Sequence, residues 1–583
     1  MNTRIRNKNN EQQIHRQRLA RMADERRQIL AMPPQKAIDA ILDHPRNTAL
    51  VHSMAEEDLF FLVHDIGAQD SLEILSLASN RQWEYILDLE VWNRDRINRD
   101  AVTYWLNLLH QADPNRFIEW TMKDKYDLLE YYLNRTVDIR VRENDEEDPS
   151  DYGDGYFTYD GTFYIRFFDD AFEAFDDEES QEELENFIFT MLERLAAEDH
   201  VAYQLMLLRT INVMPGESEE EAYRFRNVRL SEKGFLPYDE AVGVYAPIRP
   251  ETVKKRPRKV LLSRADTDFT VPVPVNHSFL LSADTLFGKA LQSIDTEEVL
   301  NDLQVEFAAL CNQIVSADLS PVREREGLLK VVNKSCGYLG IGLHRLSGTP
   351  EPPGPAECAT LLRIYSLADI FRTGYGMVVE LRNRAVLWQR ESWFHRNRLA
   401  LSFWGERLVG HLGGLMLKRP KCFDNFTSGG LYREFSNLQD LKGAEMALAE
   451  TITFDRLLSR IDIPVSDFPD DHFITHENLL LTLWARHRLD LKPAPEPIAI
   501  DQFRPFYKAL WTTGVTPPRI SDAIKADFLD WLAGATGEPA YELSRDTGDA
   551  LERLFGRIEE EFSDVPANDL DHRFVQMFLL KKN

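Results

Sequence analysis

A mostly α-helical fold in two lobes follows from three observations. Apolar residues recur at helical spacing from Glu57 almost to the last residue, the turns between these patterns are short, and one proline-punctuated, locally basic stretch interrupts them at 247–275. A chain of 583 residues also exceeds what one hydrophobic core supports, so roughly two to four domains are expected. The division read from these shifts has four parts. They are a basic N-terminal extension (1–34), a superhelical, solenoid-like domain of short helices (35–246), a Pro-rich linker (247–275) and a larger all-α C-terminal domain (276–583). An acidic insert carrying one β-hairpin sits at about 143–180 within the superhelical lobe.

The first segment carries Arg4, Arg6, Lys8, Arg16, Arg18 and Arg21 with no apolar run after them, which argues against a secretory signal. A loosely docked helix is expected from Glu11 to Leu30, ended by Pro33-Pro34; a nucleic-acid-binding arm is the sharper alternative. Residues 35–135 read as about seven helices of some three turns each. Apolar residues at Leu59, Leu62 and Val63, at Leu72 and Leu75, and at Trp83, Ile86 and Leu87 mark three of them. Asp113-Pro114 is a cap followed by proline at the first helical position, a strong start signal. Helices this short bury their apolar faces only by stacking on neighbours, which is the logic of a solenoid.

The train from Glu57 to Leu133, with Asp58-Leu59-x-x-Leu62-Val63, Asp70-x-Leu72-x-x-Leu75 and Trp83-x-x-Ile86-Leu87, resembles the cytosolic N-terminal superhelix of the MgtE magnesium transporters. The resemblance implies a superhelical N-lobe. No CBS pair and no transmembrane helices follow, so neither a channel nor a magnesium site is carried over. Taken whole, the chain resembles an uncharacterised family of bacterial helical proteins, a domain of unknown function. That likeness rests on Trp83 to Trp92, on Phe225-Arg226-Asn227-Val228-Arg229-Leu230 leading to Gly234-Phe235, and on Tyr432-Arg433-Glu434-Phe435. It implies no activity.

Two alternating aromatic and β-branched runs flank Asp160-Gly161, from Tyr156 to Phe167. Asp-Gly between such runs predicts a two-stranded ribbon, one aromatic face of which packs on the adjacent helices. Helices resume from Gln181 to about Tyr245 with a break at Met214-Pro215-Gly216. In the linker, prolines at 272 and 274 exclude a central strand over Phe269–Val275, because proline donates no ladder hydrogen bond. Its basic run Lys254–Lys259 is read as solvated linker, as a patch docked on the chain's own acidic surface, or as a site for phosphate. Beyond it, helices are predicted over Val322–Leu346, over Ala356–Trp388 with a break near Thr373–Gly376, and over Leu438–Arg460. Later ones span Thr475–His487, Ile520–Leu532 and Ser544–Phe562.

Charge and cysteine content narrow the function classes. With 68 Lys+Arg against 96 Asp+Glu the net charge is −28, which repels nucleic acid and anionic membranes. Cys311, Cys336, Cys358 and Cys422 form no C-x-x-C, which argues against a zinc ribbon or a disulfide scaffold and fits a reducing cytoplasm. The nearest approach to a membrane span, Leu399–Leu417, carries Glu406-Arg407 and His411 among four glycines and reads as a buried core helix.

Four constellations invite chemistry. Gly337-x-x-Gly340-x-Gly342 and Gly374-x-Gly376 follow no strand and match no nucleotide loop, so close helix packing explains them better. Asp470, Asp471, His472, His476 and Glu477 supply metal-ligand types within eight residues, but Thr475 reads as a helix cap that separates the two histidines. The acidic run Asp145–Asp148 with Asp151 and Asp154 lacks the register of a calcium loop. The most site-like group is Arg372, His411, Arg433 and Glu434, since charged or imidazole groups in apolar, glycine-rich helices need a partner or a cavity. A buried Arg–Glu pair that fixes helix register is the plainer account.

No hydrolase, kinase or metalloprotease signature is present, and no cofactor is called for. The leading expectation is an intracellular interaction or regulatory scaffold whose stacked-helix surface binds another protein. The alternative is an enzyme or small-ligand binder with its site in the C-terminal lobe. Membrane insertion and nucleic-acid binding are not expected, and the sequence is silent on oligomeric state.

Overall fold

Caps and prolines set the helix boundaries. A computed structural model describes residues 21–582 apart from 145–147, 172–177, 260–273, 275, 321, 462, 466–467, 470–471 and 513–516. Between Pro34 and Thr136 lie eight α-helices of 6 to 14 residues. Ser79 and Gln82 form a reciprocal box at the start of Asn80–Glu90, and Asn98 accepts from the N–H groups of Asp100 and Ala101 at the start of Arg99–Ala112. Asp113 caps Pro114–Asp124 by accepting from the Arg116 N–H at 3.2 Å, the start that its sequence predicts. Helix Glu56–Ile66 packs on Asn80–Glu90, and Leu72–Leu77 packs on Arg99–Ala112. Trp83 sits edge-on to Trp120 at 5.3 Å. The mostly α class is as predicted, the strands among the described residues forming only two-stranded pairs.

Two compact units divide the chain, residues 1–339 with 343–372 and residues 340–342 with 373–583. The predicted linker, so far as it is described, falls within the first unit; the strand-like reading of 269–275 lies outside the described residues save for Pro274. The basic run docks on the chain's own acids. Arg256 pairs with Asp369 at 2.6 Å, and Lys259 pairs with Glu306.

In the first unit, strand Phe163–Phe167 pairs antiparallel with Val137–Val141, register Ile139 opposite Ile165. This corrects the predicted partner. The Asp160-Gly161 turn does form, with Gly161 at φ +70° and the Asp160 carboxylate accepting from the N–H groups of Thr162 and Phe163. It closes only the Phe157–Ile165 bridge, while the strand preceding the insert takes the long edge. Aromatic packing on the helices is as expected: Phe157 and Phe167 lie 4.5 and 5.5 Å from Phe189.

Helix Pro215–Glu232 buries only Glu219 and Leu230 and is held by charge instead of by an apolar face. Arg229 clasps Asp88 with two nitrogens at 2.8 and 2.7 Å. Glu219 accepts from Arg96, from the Ile97 N–H and from Tyr131. With so little apolar surface covered, such a helix depends on its pairs.

In the second unit, helix Leu438–Ile461 packs against Gly405–Met416, Asp522–Thr536 and Ala540–Phe562. Trp484 meets Phe506 and Phe528 edge-on at 5.0 and 5.1 Å and anchors the aromatic core. The helical stretch predicted over 356–388 is broken at Tyr365-Ser366, between Pro355–Ile364 and Leu367–Glu391, and not at Thr373–Gly376. Gly374 and Gly376 continue the helix, as does the glycine group at 337–342 within Arg325–Ser347. Among the described residues no helix is long and apolar enough to cross a membrane. Leu399–Leu417 holds a helix of 12 residues, Gly405–Met416.

Candidate functional site

The residues that the sequence singles out fall in both units. Arg372 belongs to the first, where its Nε donates to the Ala246 carbonyl at 2.8 Å and a second nitrogen lies 3.7 Å from Asp369. His411, Arg433 and Glu434 belong to the second. Arg433 donates to Asp424 at 2.8 Å and grips Asp440 with two nitrogens at 2.6 Å, which raises its pKa, above all through Asp440. Glu434 accepts from Lys421 at 2.5 Å. His411 packs edge-on to Phe423 at 5.3 Å, its Nδ1 meeting no hydrogen-bond partner among the described residues, and burial, with Arg407 nearby, lowers its pKa.

The two histidines of the candidate metal run separate. His472 lies 3.1 Å from the Leu580 carbonyl through Nε2, while His476 begins a helix capped by Thr475. His476 is enclosed by Trp404 and Phe454, and burial pushes its pKa down to about 4. Asp470, Asp471 and the acidic residues 145–147 lie outside the described residues.

The feature that the sequence reading passed over is helix His200–Asn212, capped by Asp199. Tyr203, Met206, Leu207 and Thr210 are buried against helices Glu178–Glu198 and Tyr126–Thr136. On the opposite face Val201, Leu205, Leu208 and Ile211 are 67, 53, 43 and 43% exposed, and Met214 just beyond the helix is 65% exposed. Spacings of four, three and three residues place these four in one stripe along the helix. Phe225 and Val228 on the following helix are exposed as well. The signal was present, because apolar residues occur all round this helix; such a pattern ordinarily means burial on every side. Among the described residues only one side is covered.

The helix is fixed firmly on that side. Asn134 donates to the Thr210 carbonyl at 2.7 Å, Gln204 donates to Asp160 at 3.1 Å, and Arg209 lies over the Tyr126 ring at 4.8 Å. The exposed stripe is therefore presented on a held backbone.

A mostly helical protein with an apolar face exposed on a held helix is the class that this geometry defines. No curated protein and no solved structure matches the chain, so the likeness to the magnesium-transporter N-domain finds no support. The chain belongs to the Family of unknown function (DUF6178), whose sequence profile matches residues 13–581.

Proposed function

We propose that this protein is an interaction module that binds a partner protein through the exposed stripe Val201, Leu205, Leu208, Ile211 and Met214. The exposure of that stripe carries the reading. Leaving a large aliphatic side chain in water forgoes about 1.5–3 kcal/mol of burial, and a contiguous row of them on a fixed helix is the usual mark of a covered surface. The paired change Leu205→Glu with Leu208→Glu places charge in the stripe and leaves the buried face intact. Native mass spectrometry of the full chain from its own host is expected to show a stoichiometric protein on the wild type and none on the variant, at equal melting temperature. A wild-type chain that runs without a protein partner would end this reading.

The second reading places a small-ligand site in the C-terminal unit at His411, Arg433 and Glu434. It is favoured by the Nδ1 of His411, which meets no hydrogen-bond partner among the described residues. A small molecule retained by the wild type and lost from His411→Ala would replace the first reading with this one.

A further inference from the structure

The first unit holds a cleft of about 460 Å³ lined by Ile97, Arg99, Tyr131, Asn134, Arg135 and Phe168. Its size is that of an ordinary small-molecule site. Three elements build it: the end of the short hairpin at Ile97, the first turn of helix Arg99–Ala112, and the last two turns of helix Tyr126–Thr136. Phe168 closes it just past strand Phe163–Phe167.

The polar lining is unbalanced. Arg99 donates one bond, at 3.3 Å, to the Arg135 main-chain carbonyl, which brings the two residues together. Among the described residues neither guanidinium has a carboxylate partner, although the chain carries a net charge of −28. Glu219, which meets Tyr131 of the lining, is already engaged by Arg96 and the Ile97 N–H as well. Asn134 spends its amide N–H on Thr210. What remains toward the cleft is cationic, with the Arg135 guanidinium donating to the Tyr131 hydroxyl and the first-turn N–H groups of Asp100 and Ala101 already capped by Asn98. Ile97 and Tyr131 are buried and, with Phe168, supply an apolar floor.

We infer that this cleft binds a small organic oxyanion, a carboxylate or phosphate ester, with its charged group between Arg99 and Arg135 and its apolar body over Ile97 and Phe168. Guanidinium groups match the planar, multi-oxygen geometry of such anions. A half-enclosed site also weakens the screening that water gives an exposed pair. The site is independent of the apolar stripe, and its success or failure leaves the interaction reading untouched.

Calorimetric titration of the full chain with phenyl phosphate, benzoate and neutral benzyl alcohol tests it. Saturable one-to-one binding of an oxyanion is expected, with benzyl alcohol at least about tenfold weaker. The double change Arg99→Gln with Arg135→Gln is expected to weaken oxyanion binding by about tenfold or more at unchanged melting temperature. Arg99→Lys with Arg135→Lys should recover part of it, since charge returns without the planar fork. The inference is overturned if neither oxyanion binds the wild type, if benzyl alcohol binds equally well, or if the double glutamine variant keeps full affinity.

Discussion

His476 illustrates how far a single residue can be read. The sequence placed it at the first position of a capped helix, and Thr475 with Asn478 forms that cap. What it could not show is that Phe403, Trp404 and Phe454 converge on the ring from two other elements. Neither ring nitrogen makes a hydrogen bond of normal geometry; burial favours the neutral form, with the Phe403 backbone and Glu450 opposing and Arg407 and Arg557 assisting. A free imidazole titrates near 6.5 and this one at about 4. Between those values the unfolded chain binds more protons, so stability falls as pH drops from 6.5 toward 4, by on the order of 3 kcal/mol. His277, buried in the first unit with its pKa also near 4, adds a second such dependence. His476→Leu should therefore flatten part of the loss of urea stability between pH 7 and 5; an unchanged slope would refute the assignment. Arg433 shows the opposite case. Its residue type signalled a need for partners, but one of them, Asp424, lies across a strand turn whose pairing the local sequence does not encode, and the other, Asp440, lies in the first turn of the helix that follows.

At the scale of the element, glycine separates propensity from packing. Gly414, in helix Gly405–Met416, accepts from the Lys421 N–H at 3.0 Å, and a Cβ there would lie 2.5 Å from the Lys421 carbonyl oxygen. Gly443, in helix Leu438–Ile461, has nothing within 4 Å of its virtual Cβ. Alanine favours a helix interior over glycine by about 1 kcal/mol, so Gly443→Ala should stabilise by roughly 0.5–1 kcal/mol. Gly414→Ala should instead destabilise by about 1–3 kcal/mol, because backbone cannot yield as a side chain can. Thermal melts of the two variants check the signs, and two changes of the same sign would contradict the packing. Helix boundaries set by caps and prolines, such as Asp113-Pro114 and Met214-Pro215, were legible in the sequence because the determinant is local. Strand pairing was not: Asp160-Gly161 made its turn, yet Val137–Val141 won the longer edge from 22 or more residues away in the chain.

Over the whole molecule the four thiols report both units. Cys311, Cys336 and Cys358 lie in the first and Cys422 in the second, all buried. Burial pushes the Cys311 thiol up to about 12 and those of Cys358 and Cys422 to about 11, and it raises Cys336 as well. Thiolate being the reactive form, iodoacetamide should label none of them in native buffer. With rising denaturant, labelling of Cys422 should follow unfolding of the second unit and labelling of the other three that of the first. Rapid native labelling at any of these positions would show that its surroundings open without global unfolding.

The sequence by itself determined that this chain is mostly helical, where many of its helices begin, and that no familiar catalytic signature runs through it. Those properties depend on hydrophobic period and capping chemistry within a few residues. The tertiary structure decided which of the two apolar faces of His200–Asn212 is covered. It also decided which strand pairs with Phe163–Phe167, and that Arg99 and Arg135 meet at one cleft. Each of these is settled by competition among contacts distant in the chain, and burial free energy carries no mark in the local sequence of which distant surface will supply it.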